Sequence, residues 1–344
     1  MLDWQNFNRN DGLLSDQVYS SAMDVEGRLW FGCKQPDGLI CRDSGEWKYF
    51  TTGDSGIPSG HIWDLAADPR GGIWCGTAGG GLTYFDGTNW TVYTRENGLA
   101  GDHVYAVAFD SEGRLWCGCA PPPDTIIPQG GISIFDGQRF ENLTSDYTQG
   151  IQVGGGNSGL CDNRVYAIAF DDTGRAWMGT KGGGICRYDG TSWAVYNKSN
   201  GLPVNEVGDG AAAPCGTDGV WFGLRGGGLA KYTEGRWIFH NRAGGLAGDF
   251  VYAIAKGPDE NWWVGCSPDP DKHEFGGGIS RLHDNHIINY TSDFAGGKHI
   301  GGGNSPLADN RVYTIVFDSE GNGWFGTKGS GISRLSAGSI LKGT

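Results

Sequence analysis

Ala176-Trp177-Met178-Gly179-Thr180-Lys181-Gly182-Gly183-Gly184-Ile185 decides how the rest of the chain is read, because variants of it recur from one end to the other. A tryptophan with glycine two residues later stands at Trp30, Trp74, Trp116, Trp177, Trp221, Trp263 and Trp324. Successive tryptophans lie 44, 42, 61, 44, 42 and 61 residues apart, so the spacing pattern itself repeats every 147 residues. Seven copies at such a period indicate a repeat architecture built from seven similar supersecondary units.

The second copy serves as a template. His61-Ile62-Trp63-Asp64-Leu65-Ala66-Ala67 reads as a short strand, and Asp68-Pro69-Arg70-Gly71 as a turn with Asp first and Gly at its exit. Gly72–Thr77 and Gly81–Phe85 read as the next two strands, Asp86-Gly87 as a hairpin turn and Trp90–Tyr93 as the fourth strand. Four short antiparallel strands, seven times over, predict an all-β, seven-bladed β-propeller. The last copy has three strands, through Gly331–Leu335, while residues 4–13 align without a gap on residues 90–99. The N-terminal strand is therefore expected to complete the last blade and remove its open edges. The expected layout is one domain over 1–344: residues 1–11 as the outer strand of blade 7, 12–158 as blades 1–3, 159–305 as blades 4–6 and 306–344 as the remainder of blade 7.

Composition narrows the function. The 63 glycines follow no Gly-X-Y period and so indicate many tight turns, and the formal charge of −13 argues against general nucleic-acid binding, which needs a basic footprint. No apolar run reaches the roughly 18 residues of a membrane helix, and residues 1–5 lack a secretion signal. A cytoplasmic location is expected for the chain as it stands, and a periplasmic or secreted one if a leader has been removed. The nine cysteines, several inside strand patterns (Cys75, Cys117, Cys186), are expected to be free, buried thiols in a reducing compartment. No metal-ligand spacing, P-loop or dinucleotide fingerprint occurs, so no cofactor is expected.

Asn97-Gly98-Leu99, His103-Val104-Tyr105-Ala106-Val107 and Asp110-Ser111-Glu112-Gly113-Arg114-Leu115-Trp116 together resemble the two-component regulator propeller repeat. Thr180-Lys181-Gly182-Gly183-Gly184-Ile185 is similar to that family's Gly-Thr-x-Gly-Gly-Gly-Leu signature. The resemblance implies a propeller of the kind found in periplasmic sensor domains of hybrid histidine kinases, many of which recognise carbohydrates. Those receptors commonly carry two propellers, a membrane helix and a kinase segment, whereas one propeller is legible here.

The 61-residue spacings locate insertions. In blades 3 and 6 the second-to-third-strand loops lengthen through residues 119–129 and 266–275, and the loops leaving these blades lengthen through 144–158 and 291–305. Both loop classes emerge at the same end of a four-stranded blade, and long loops concentrated on a rigid scaffold are the usual place for function. Covering the ring or mediating a dimer is the structural alternative. Lys34, Lys181, Arg225 and Lys328 fall in second-to-third-strand turns, and Arg164 and Arg311 precede first strands, which predicts six cations on that end. A carboxylate or sugar acid gripped by arginine, with Tyr147, Phe294, Asn157 and Asn304 of the inserted loops nearby, is the expected ligand set. Local pairing of the arginines with Asp162 and Asp309 is the alternative.

Tyr19, Trp63, Tyr105, Tyr166, Tyr252 and Tyr313 share one repeat position, which favours packing between blades over sugar stacking. His61 and His103 take the arginine position in blades 2 and 3 and are the weak catalytic candidates. The expected function is ligand binding or sensing, with a small anionic or carbohydrate partner. The alternatives are a lyase resembling the streptogramin lyases, with a divalent metal at His61 or His103, or a protein-interaction scaffold. A protein partner or a homodimer fits the last of these.

Overall fold

The computed structural model describes residues 2–342 except 35–37, 54, 58, 60, 216–218, 270–275, 284–285, 296–297 and 300. Pro58 and Gly60, and most of the inserted loop of blade 6, therefore lie outside the described residues. The chain is all-β, a seven-bladed propeller of four-stranded antiparallel sheets, with two small hairpins added. By packing it divides into two compact units, residues 1–62 with 240–344 (unit 1) and residues 63–239 (unit 2). Unit 1 carries blades 1, 6 and 7, and unit 2 carries blades 2 to 5.

Blade 4 shows how the repeat folds. Val165–Phe170, rich in β-branched and aromatic residues, pairs with Ala176–Thr180, which pairs with Ile185–Tyr188, and Trp193–Tyr196 closes the sheet. The turn between the first two strands runs from Asp171 to Gly174, which sits at φ +83°. The second strand is buried along its whole length. Its glycine is required by packing, because a methyl at Gly179 would run into Val207 of the next blade. In blade 2 the third and fourth strands, Leu82–Phe85 and Trp90–Tyr93, fall within one residue of the sequence expectation.

Two features escape a period-two reading. A bulge interrupts the first strand of blade 4 between Val165 and Ala167, and the same irregularity recurs at Val18/Ser20, Val104/Ala106, Val251/Ala253 and Val312/Thr314. The bulged residue is the repeated aromatic, because a bulge re-aims one side chain out of the alternation. The second feature is the aspartate that opens the first turn of blades 1 to 4 and 7, where blades 5 and 6 have Cys215 and Gly257. Its carboxylate accepts the indole N–H of the blade tryptophan: Asp24 from Trp30 at 2.7 Å, Asp110 from Trp116 at 2.9 Å and Asp318 from Trp324 at 2.8 Å.

The N-terminal strand Trp4–Phe7 pairs antiparallel with Ile332–Leu335, with Trp4 opposite Leu335 and Phe7 opposite Ile332, as expected. Phe7 stacks on Trp324 at 5.7 Å, and Trp4 lies 5.7 Å from Phe325. A short helix not foreseen from sequence, Ala337–Lys342, seats fully buried Ile340 in the core of blades 6 and 7. The thiol expectation needs correcting. Cys161 and Cys186 form a disulfide, their Cα atoms 6.1 Å apart, while Cys33, Cys41, Cys75, Cys117, Cys119, Cys215 and Cys266 are free. Cys161 lies in a loop and reaches a strand residue 25 positions away, a proximity that spacing alone does not show.

Candidate functional site

In unit 2, the chain leaving the outer strand Phe140–Leu143 of blade 3 forms a small hairpin, Tyr147 opposite Gln152 and Thr148 opposite Ile151. The loop is braced from within. Thr144 donates its backbone N–H to Asn157 Oδ1 at 2.8 Å, and Asn157 Nδ2 donates to the Asn142 carbonyl at 2.9 Å. Buried Asn163 accepts from the Ser145 amide at 2.7 Å and donates back to its carbonyl at 2.8 Å.

Unit 1 repeats the arrangement 147 residues on. Phe294 pairs with His299 in the hairpin, Thr291 donates to Asn304 Oδ1 at 2.8 Å, and Asn304 donates to the Asn289 carbonyl at 2.9 Å. Asn310 exchanges the same two bonds with Ser292. Asn157 and Asn304, expected at the ligand, are thus the braces of their loops.

Each braced loop borders a groove within its own unit. The groove of unit 2, about 400 Å³, is lined by Asp146, Tyr147, Ser158, Gly183, Asn197 and Asn205 among others. The groove of unit 1, about 430 Å³, is lined by the corresponding Asp293, Phe294, Ser305, Ser330, Asn8 and Asp16. Asn197 and Asn8 occupy equivalent places, each capping a one-turn 3₁₀ helix. Asn205 and Asp16 likewise accept the amide of Lys198 and Arg9, both at 2.8 Å.

In each groove one carboxylate oxygen is held by backbone, Asp146 Oδ1 by Gly156 N–H at 3.0 Å and Asp293 Oδ1 by Gly303 N–H at 2.9 Å. Tyr147 and Phe294 remain 43% and 42% exposed. Leaving two large rings half in water, each on the hairpin of a braced loop, sacrifices burial that the fold could otherwise use.

The six cations divide between the units and are largely engaged. In unit 2, Arg164 is only 4% exposed and donates from Nη2 to the Thr125 carbonyl of the blade 3 insertion at 2.5 Å. Its neighbour Asp162 is fully buried, and desolvation pushes its carboxyl upward against the hydrogen bonds it accepts from the Arg164 and Gly150 amides. Lys181 sits over the Tyr166 ring at 5.8 Å, and Arg225 pairs with Glu206 at 2.9 Å. In unit 1, Arg311 donates to the Lys328 carbonyl at 2.6 Å and lies 3.5 Å from Asp309. Lys34 and Lys328 cover the rings of Tyr19 and Tyr313 at 5.9 and 5.2 Å.

The repeated aromatics pack on one another, Tyr105 on Tyr166 at 4.4 Å in unit 2 and Tyr252 on Tyr313 at 4.3 Å in unit 1. His61 meets Tyr19 edge-on at 5.6 Å. Burial lowers the His103 pKa, opposed by the charge of Asp102. Among the described residues no group of three or more His, Cys, Asp or Glu is placed to hold a metal ion. No helix among them is long and apolar enough to cross a membrane.

Four segments, residues 56–79, 98–120, 159–182 and 306–329, match the family described as two component regulator propeller. None of the curated proteins matches the chain. Among solved structures, the extracellular domain of BT3049 from B. thetaiotaomicron, assigned to a hybrid two component system, is similar at TM-score 0.74 and 19% identity. That match covers 98% of this chain and 42% of that one, so the chain spans less than half the length of that domain. The extracellular domain of BT4673 from the same organism matches at TM-score 0.69 and 18% identity, over 97% of this chain and 40% of that one. Virginiamycin B lyase from Staphylococcus aureus matches at TM-score 0.68 and 15% identity, over 98% and 99% of the two chains. At these identities the likeness is one of fold.

Proposed function

For this chain of two component regulator propeller repeats, we propose a recognition or sensory role in which the paired grooves beside Tyr147 and Phe294 each take a saccharide. The observation that carries the reading is the duplication of one groove, with its exposed ring, adjacent carboxylate and braced loop, in both units. An aromatic face beside a carboxylate and amide groups is the pairing a sugar ring uses, apolar C–H face on the ring and hydroxyls on the polar edge. A neutral sugar suits these grooves better than an acidic one, because they carry Asp146 in one case and Asp16 with Asp293 in the other, while the nearby cations are engaged with ring faces, carbonyls and carboxylates.

The Cys161–Cys186 disulfide supports a periplasmic or extracellular setting, since such bonds persist in oxidising compartments. It also pins the loop that carries the unit 2 groove, of which Cys161 is a wall. A glycan array probed with the labelled protein tests the proposal. Wild type is expected to retain neutral glycans that the Tyr147→Ala, Phe294→Ala double variant does not, and equal retention by both would overturn it.

A further inference from the structure

At the opposite end of the strands of unit 1, beside the turns joining first to second and third to fourth strands, lies a cavity of about 530 Å³ between blades 1 and 7. Arg42 and Arg334 are among the residues that line it. Both stand over the ring of Trp324, at 5.1 and 5.7 Å, and Arg42 also lies 4.6 Å from the Trp47 ring.

Arg42 breaks the repeat. In blade 1 it pairs across from Leu29. The residues at that register in the other six blades are Phe85, Phe135, Tyr188, Tyr232, Leu282 and Leu335. Six blades thus fill the position with a large apolar or aromatic side chain, and blade 1 fills it with a cation beside a second cation.

Neither guanidinium has a hydrogen bond or an ion pair among the described residues. Asp318, the acid whose charge acts on Arg42, is taken up by Trp324 Nε1 at 2.8 Å and by the Asn322 amide at 2.9 Å. Blades 1, 3 and 4 place an arginine four residues after the turn aspartate and pair the two, at 2.6, 2.7 and 2.8 Å; blade 7 has Asn322 there instead. Burial lowers the Arg42 pKa, and the positive charge of Arg334 lowers it further against the pull of Asp318. Holding two like charges together in a partly desolvated cleft is unfavourable, and an apolar residue at position 42 would relieve it.

We propose that this cavity binds a small carboxylate, its planar anionic group accepting N–H donors from both Arg42 and Arg334 above the Trp324 ring. Two planar forks match a carboxylate's two oxygens. Of the other acids lining the cavity, Glu26 and Asp43 are paired with Arg28 at 2.9 Å and Lys48 at 2.7 Å, while Glu320 accepts from the Asn322 amide at 3.2 Å, and together they disfavour a doubly charged phosphate. The site is separate from the saccharide grooves and stands or falls without them.

The test titrates the full chain at low salt with sodium benzoate, and in parallel with inorganic phosphate, while following the Trp324 indole N–H signal by NMR. Benzoate is expected to shift it saturably and phosphate not. Arg42→Leu and Arg334→Gln, checked for native fold by circular dichroism, are each expected to weaken benzoate about tenfold or more, the loss of one charge-assisted contact. No saturable shift with benzoate, tighter binding of phosphate, or an unchanged dissociation constant in the folded variants would each overturn the proposal.

Discussion

Trp177 donates its indole N–H to Asp171 at 2.8 Å, tying the second strand of blade 4 to the turn that precedes it. Burial alone would raise the Asp171 pKa, but hydrogen bonds from Thr173, Trp177 and Arg175 outweigh it and hold the carboxyl below the usual range. A depressed carboxylate contributes stability that is present above the unfolded-state pKa and lost as pH falls through the folded one. Asp171→Ala is expected to cost about 1–3 kcal/mol by orphaning the buried indole N–H. Urea unfolding measures it, and the difference from wild type should begin to shrink below about pH 4, where the unfolded chain's carboxylate protonates, and go on shrinking as pH falls through the lower folded-state pKa.

Asp64 titrates the other way. Desolvation raises its pKa to about 7, although the Val107 and Leu65 amides both donate to it at 2.9 Å. Its folded pKa exceeds the unfolded one, so its contribution is full below about pH 4 and is lost as pH rises to about 7. Wild type should therefore lose ground against Asp64→Asn across this window. A difference in Tm between the two that stays constant from pH 4 to 8 would contradict the assignment.

Removing residues 1–11 deletes the strand opposite Ile332–Leu335 and the rings of Trp4 and Phe7 that cover Phe325 and Trp324. Strong destabilisation is expected in thermal melts, and a truncated chain melting at the full-length temperature would refute the closure.

Reducing the Cys161–Cys186 bond frees a segment of about 25 residues, worth about 3 kcal/mol by loop entropy. A dithiothreitol-treated sample, or Cys161→Ser with Cys186→Ser, should melt lower than the oxidised protein. The free cysteines should not add to the effect, because burial pushes Cys33, Cys75 and Cys117 well above the usual thiol range.

The blade pattern was legible because a Trp-x-Gly core must recur wherever a strand packs against the next blade, and the gapless match of residues 4–13 to 90–99 placed the closing strand. The candidate site was legible only in part. Tyr147 and Phe294 came from the inserted loops, but Asn157 and Asn304 look like ligand groups until their partners across the loop are known. Arg164 looks exposed in a loop before a strand, yet a carbonyl 39 residues earlier captures it. Arg42 carries no signal in the sequence because it stands one residue past the place where other blades carry Arg187, Lys231, Arg281 or Arg334 opposite the tryptophan.

Stoichiometry tests the paired grooves most directly. Titrating the full chain calorimetrically with a neutral glycan retained on the array should give two sites in wild type, one in Tyr147→Ala, one in Phe294→Ala and none in the double variant. Undiminished binding by the double variant, with its fold intact, would contradict the account.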